Sequence, residues 1–370
     1  MFKPRKAQGV KASLSRQANA GRKRKRLRYI PSMNAGRKRK RLRYIPSMVE
    51  TPRIPLIVIL GPTAVGKTEF AIRLAERLGG EIVSADSRLF YRGMDIGTAK
   101  PTPAERSRVP HHLIDVAEPH ETWSLGRFQQ EAKAAIEAIH RRGRLPLLVG
   151  GTGQYVRAVI EGWQPPRIEG EERLRKWLEE LGRARGEYWL YERLQRLDPV
   201  AAARIDPRNL RRTVRALEVI LLSGRRFSEQ RTRSESPYDL LLIGLRRPRS
   251  ELYARIDARI EAMFQAGLLE ETRRLLEQGY SPDLPALSAI GYRECVAVLQ
   301  GKIGVEEAKA LMKRATRRYV RHQANWFKES DPRIHWLEAG APDVLDQAER
   351  LIRARFSLPP PPTNAPAPTA

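Results

Sequence analysis

The run Gly61-Pro62-Thr63-Ala64-Val65-Gly66-Lys67-Thr68 fits GxxxxGK[ST] and constrains the fold more than any other stretch of the chain. An apolar segment, Leu56–Leu60, stands before it, and after it apolar residues recur at helical spacing from Lys67 to Leu78. Strand, glycine-rich loop and helix in that order make a phosphate cradle. The glycines permit a tight loop whose N–H groups converge on an anion, and the helix N-terminus adds its dipole. Lys67 supplies a point charge and Thr68 a hydroxyl suited to Mg²⁺. The motif implies phosphate binding, not ATP hydrolysis.

Further short apolar runs, Glu81–Ser84, Leu145–Val149 and Leu240–Leu245, alternate with helical patterns. That alternation predicts an α/β chain with a P-loop NTPase-like parallel sheet and flanking helices. Over 163–237 the strand patterns stop, and charged amphipathic stretches such as Glu171–Leu181 and Leu210–Leu222 predict a mainly helical inserted domain. The core is therefore expected in two parts, 54–162 and 238–356.

The ends read differently. Asn19–Met33 is repeated without change as Asn34–Met48, and residues 1–48 hold 17 Lys and Arg with no acidic residue. Such a segment has no apolar face to pack and is expected to be disordered and dispensable for fold and activity. Each copy ends in Met, so Met33 or Met48 are candidate starts beside Met1. Leu358–Ala370 is a proline-rich tail outside the expected fold. The net charge is +27, and the chain beyond the arm still carries 52 basic against 42 acidic residues, which favours a nucleic-acid partner. A single cysteine, Cys295, rules out an internal disulfide and a cysteine-rich zinc site. No apolar run approaches the length of a membrane span, so the chain is read as cytoplasmic.

The end of Leu145–Val149 runs into Gly150-Gly151-Thr152-Gly153, which offers N–H groups and a hydroxyl where an NTPase would place a carboxylate. Glu81–Ser84 does end beside one, Asp86, on the sheet edge that carries the P-loop. Asp86 reads as a general base, a magnesium ligand or a helix cap. Asp115 is a competing strand-end carboxylate, and the adjacent His111 and His112 read as structural. Lys309, Lys313, Arg317 and Arg321, with Arg314, Arg318 and His322 beside them, put a basic stripe on a helix over 306–328, flanked by Tyr319, Trp326 and Phe327. That suits RNA, a solvated face being the alternative. Arg255 and Arg259 share one helix face, either as a fork for leaving phosphates or as ion-pair partners of Asp257 and Glu261.

Taken together, these blocks resemble the bacterial tRNA dimethylallyltransferases, also called tRNA isopentenyltransferases. GPTAVGKT at Gly61, Ser84-Ala85-Asp86-Ser87, YRGMDIGTAKP at Tyr91, LLVGGTGQY at Leu147, DPVAAARIDP at Asp198, RALE at Arg215, AIGYRE at Ala289 and RHQANWFK at Arg321 occur in the family's order. The resemblance implies transfer of a dimethylallyl group from dimethylallyl diphosphate to N6 of adenine 37, in the anticodon stem-loop of tRNAs reading codons that begin with U. It implies a monomer with Mg²⁺ as cofactor and Asp86 as base on N6, Thr63 near the reacting atoms and Arg259 at the diphosphate. It places tRNA contacts at Asp86, Ser87, Arg88 and Leu89, at Thr152, and at Arg211, Arg212, Thr213, Val214 and Arg215. Further contacts are implied at Ser288, Ala289, Ile290, Gly291, Tyr292 and Arg293, and at Arg321, His322, Gln323, Ala324, Asn325, Trp326, Phe327 and Lys328. Two other readings share parts of this chemistry: a P-loop small-molecule kinase, and a dimethylallyltransferase acting on free adenine nucleotides.

Overall fold

The computed structural model describes residues 53–359 other than 167, 169 and 231; the duplicated arm and the tail from 360 lie outside the described residues. Strand β1 (Ile54–Leu60) leads through the P-loop into helix α1 (Lys67–Leu78), and β2 (Gly80–Ser84), α2 (Pro103–Arg108), β3 (His111–His112), α3 (Leu125–Arg141), β4 (Leu145–Val149) and α4 (Gly153–Ile160) follow. The segment inserted next runs from β5 (Trp163–Gln164) through α5 (Glu172–Arg185), α6 (Glu187–Leu197), α7 (Pro199–Ala202), α8 (Leu210–Ser223) and α9 (Phe227–Gln230) to β6 (Thr232–Arg233). The chain then returns with β7 (Tyr238–Arg246), α10 (Arg249–Gln265), α11 (Leu268–Glu277), α12 (Tyr292–Leu299), α13 (Val305–Ala324), β8 (Ile334–Glu338) and α14 (Val344–Phe356).

The six-stranded sheet has the order β3-β2-β4-β1-β7-β8, and every pair in it is parallel. In β1 the residues Leu56–Leu60 are all fully buried, as a strand covered on both faces by helices requires. Register sets Ile57 opposite Leu147 on one side and Leu241 on the other. Because all six strands point the same way, the loops after β1, β2, β4 and β7 emerge at one edge.

The insert was expected to lack strands, yet β5 and β6 pair antiparallel where the chain leaves and re-enters the core. Two residues a side are too short to show alternation in sequence. Its helices close over a second apolar core that includes Leu178, Leu190, Leu194, Ile205, Val214 and Leu217. The basic helix also ends earlier than its pattern suggests: α13 stops at Ala324 with Asn325 as its C-cap, so Trp326, Phe327 and Lys328 lie beyond it. Among the described residues no helix is long and apolar enough to cross a membrane.

Candidate active site

The P-loop holds its shape by tying its carbonyl groups outward. Lys67 Nζ donates to the carbonyl oxygens of Gly61 at 2.9 Å and Pro62 at 2.8 Å, Arg255 Nε to Ala64 O at 2.8 Å, and Arg247 Nε to Val65 O at 3.0 Å. Gly66, at φ +105°, is the left-handed N-cap of α1 and offers no side-chain cap, so the first-turn N–H groups have no partner within the helix. Gly61 is required on two counts: its φ is +147°, and a Cβ there would sit 2.7 Å from Leu245 O. With these carbonyls engaged, the first-turn amides and the α1 dipole make a geometry suited to an anion. Thr68 is exposed at its mouth.

Burial pushes the Lys67 ammonium down to about 8; the Asp86 charge opposes this and the Arg259 charge adds to it. Arg259 is itself lowered, by burial and by Arg255. The charges of Lys67, Asp86 and Arg259 thus act on one another. On α10, Arg255 bonds the P-loop and the Arg259 charge acts on Lys67, while Asp257 and Glu261 pair with α13: Arg317 to Asp257 at 2.5 Å, and Lys313 and Lys309 to Glu261 at 2.6 and 2.9 Å.

Asp86 follows β2 and is half-buried. One carboxylate oxygen accepts the Arg88 N–H at 3.0 Å, a local turn that fixes the side chain while the second oxygen remains for another partner. Arg88 reaches across to the carbonyl of Pro285 at 2.9 Å, joining this turn to the segment before α12. Behind it, Tyr155 stacks on Phe128 with ring centroids 4.4 Å apart, and Phe90 packs against Trp123 at 4.5 Å. Burial pushes the Tyr155 hydroxyl up to about 12, and it interacts with the charges of Arg88 and Asp86.

The alternative carboxylate and the histidines are absorbed elsewhere. Asp115 binds Lys100 at 2.5 Å and Arg106 at 2.6 Å. His111 bonds Val109 O, and His112 bonds the buried Glu81 at 2.8 Å. Among the described residues no group of three or more His, Cys, Asp or Glu could hold a metal ion.

The residues expected to touch tRNA divide by exposure. Arg211, Arg212, Ser288, Arg293, Arg321, His322, Ala324, Asn325 and Lys328 are exposed; Ser87, Arg88, Leu89, Thr152, Ile290, Trp326 and Phe327 are half-buried. Thr213, Val214, Ala289, Gly291, Tyr292 and Gln323 are buried. Val214 packs in the insert core, the Tyr292 hydroxyl bonds Glu271 at 2.6 Å, and Arg215 is held by the buried Glu218 at 2.6 Å. The stripe on α13 is also less free than its sequence suggests, since Lys309, Lys313 and Arg317 are paired to α10.

Arg247 was missed because nothing in the sequence says that β7 neighbours β1; their register, Leu60 opposite Gly244, delivers it to the loop. A basic residue just past a strand end was the available signal.

Comparison with known proteins matches this framework over most of its length. The family model described as IPP transferase covers residues 89–330, and that described as isopentenyl transferase covers 54–115. A tRNA dimethylallyltransferase of Roseiflexus sp. (strain RS-1) is 53% identical over 300 residues, 81% of this chain and 98% of that one. The crystal structure of the full-length tRNA isopentenylpyrophosphate transferase from Bacillus halodurans superposes with TM-score 0.62 at 42% identity, covering 82% of this chain and 97% of the other. A eukaryotic dimethylallyltransferase captured acting on tRNA gives TM-score 0.69 at 28% identity, with 82% and 80% covered. With a family model over more than half of its length and relatives at about 50% identity along most of it, the chain belongs to the IPP transferase family.

Proposed function

We propose that the chain transfers the dimethylallyl group of dimethylallyl diphosphate to N6 of adenine 37 in tRNAs reading codons that begin with U. The observation that carries this reading is the meeting of a phosphate cradle and an oriented carboxylate at one sheet edge, where the Asp86 charge acts on Lys67. In the reaction N6 attacks C1 of the allyl group, the C1–O bond breaks, and diphosphate leaves with the bonding electrons. The N6 proton passes to Asp86.

The free P-loop amides, Lys67 and Arg259 would stabilise charge developing on the leaving diphosphate. Mg²⁺, when bound, supplies further positive charge there, with Thr68 as the ligand the loop offers. Dependence on phosphate oxygens and water for its remaining ligands is usual for this ion. The half-buried Tyr155, backed by the fully buried Phe128 and Phe90, would give the five-carbon group an apolar surface, and Thr63 of the cradle would stand near the reacting atoms. An adenine inside a stacked loop must be turned out to reach Asp86. The exposed Arg211, Arg212, Arg293, Arg321 and Lys328 would hold the tRNA phosphates around it. A monomer would suffice for this chemistry, since no step needs a residue of a second copy.

The test supplies dimethylallyl diphosphate or ATP as donor against tRNA or AMP as acceptor. Transfer from dimethylallyl diphosphate to tRNA, with one diphosphate released per group transferred, supports the proposal. Prenylation of AMP without tRNA would favour the free-nucleotide reading, and ATP-dependent phosphorylation a kinase.

A further inference from the structure

Gln323 stands in the RHQANWFK segment, but its side chain is buried and points inward from the last turn of α13. Its Oε1 accepts the Thr63 N–H at 2.9 Å and its Nε2 donates to Gly151 O at 3.0 Å. One amide therefore joins the P-loop to the loop after β4. Both halves are used in the sense that their chemistry demands, an acceptor for an N–H and a donor for a C=O. The fit is close: a Cβ on Gly151 would lie 2.3 Å from Gln323 Nε2.

The surroundings make this amide a rigid strut. A Cβ on Gly153 would meet Trp326 Cγ at 2.1 Å, and Arg157 donates to Trp326 O at 2.5 Å, so the chain just past α13 is docked on the start of α4. Farther back, α13 is ion-paired to α10 through Arg317 and Asp257, and α10 grips the P-loop through Arg255. Tyr319, one turn before Gln323, interacts with Thr152, with Gln323 and with the charge of Asp86. The buried Thr152 Oγ1 lacks a hydrogen bond of good geometry, leaving a polar atom beside the strut.

We infer that Gln323 is a positioning residue, which fixes the separation between the diphosphate cradle and the Thr152 loop and so aligns donor and acceptor for transfer. The inference rests on the reaction proposed above. Alignment is where such a strut matters, because displacing reacting groups by about 1 Å can cost on the order of 10²-fold in rate. A direct tRNA contact would instead act on affinity.

Gln323→Glu keeps the shape and the acceptor for Thr63 but turns an oxygen toward Gly151 O. Gln323→Ala removes both bonds, and Gln323→Asn is one methylene too short to span them. Single-turnover transfer at saturating tRNA and dimethylallyl diphosphate is expected to fall about 10- to 100-fold in the Glu and Ala variants. The tRNA dissociation constant should stay within about twofold of wild type. Independently of transfer, hydrogen exchange in peptides spanning 61–66 and 150–153 should quicken about tenfold together in the Ala variant, since both loops lose one partner. That readout stands even if wild-type protein transfers nothing to tRNA, an outcome that would sink the proposed reaction alone. Unchanged exchange in both loops, or a tenfold loss of tRNA affinity with a normal saturated rate, would overturn the positioning role.

Discussion

Asp86 and Lys67 were readable as single residues because their chemistry is tied to motif position, one after a buried strand and the other inside GxxxxGK[ST]. An exocyclic adenine amine is a weak nucleophile, so removing its proton acceptor should matter. Asp86→Asn is expected to lower saturated turnover by about 10²- to 10⁴-fold with little change in tRNA affinity, as single-turnover kinetics beside a filter-binding isotherm would check. If raising Mg²⁺ restored the rate, Asp86 would be a metal ligand instead.

Lys67 adds a linkage. Its folded value, about 8, lies below the ordinary 10.5, so between those pH values the unfolded chain binds more protons and stability rises with pH. Below the window the buried charge costs stability in full. Lys67→Met should therefore abolish diphosphate binding yet raise the melting temperature at pH 7, and the gain should shrink as pH climbs from 8 to 10.5. Scanning calorimetry across that range reads the effect; a lower melting temperature at pH 7 would mean that the Lys67 bonds to Gly61 and Pro62 outweigh its burial. What the sequence could not show is the ring of partners that holds the P-loop, Arg247 and Arg255 on its carbonyls and Gln323 on the Thr63 N–H. They come from 180 to 260 positions away, through strand order and helix docking.

At the scale of elements, the strands β1, β4 and β7 were legible because burial on both faces leaves apolar runs, and β2, GEIVS, by its β-branched pair beside them. The short β3, β5 and β6 carry no periodicity, and β8, IHWLE, alternates too briefly to stand out. Charge on helices was legible as pattern but not as role: the α13 stripe reads as free cations until Asp257 and Glu261 of α10 are placed against it. These pairs are partly exposed, so solvent screening leaves each a weak contributor to stability. Arg317→Ala is expected to leave tRNA affinity nearly unchanged, whereas Arg321→Ala should weaken it more at low salt than at high salt. Equal effects from the two variants would show that the pairs open on binding.

The segment YRGMDIGTAKP reads in sequence as a signature without a mechanism, and the structure supplies one. The buried Glu271 of α11 accepts the N–H groups of Asp95, Ile96 and Gly97 at 2.9–3.2 Å and the Tyr292 hydroxyl at 2.6 Å. Glu271→Ala leaves those donors buried without a partner and should cost on the order of 3 kcal/mol or more in urea denaturation. A loss below about 1 kcal/mol would mean that water replaces the carboxylate.

Across the whole molecule, a parallel sheet gathers its strand-end loops on one edge, and the helices after β7 close around them. In the proposed reaction, donor binding and acceptor activation would come from segments distant in sequence, while the helices around the second core carry Arg211 and Arg212 exposed. In the proposed function this edge performs one reaction, prenyl transfer to a tRNA adenine. The most direct measurement incubates unmodified tRNA and dimethylallyl diphosphate with the protein, digests the RNA and locates the product by mass spectrometry. The expected result is a single N6-dimethylallyl adenosine at position 37, formed with release of one diphosphate and without ATP. A modified base elsewhere, or no modification beside tRNA-stimulated ATP hydrolysis, would contradict it.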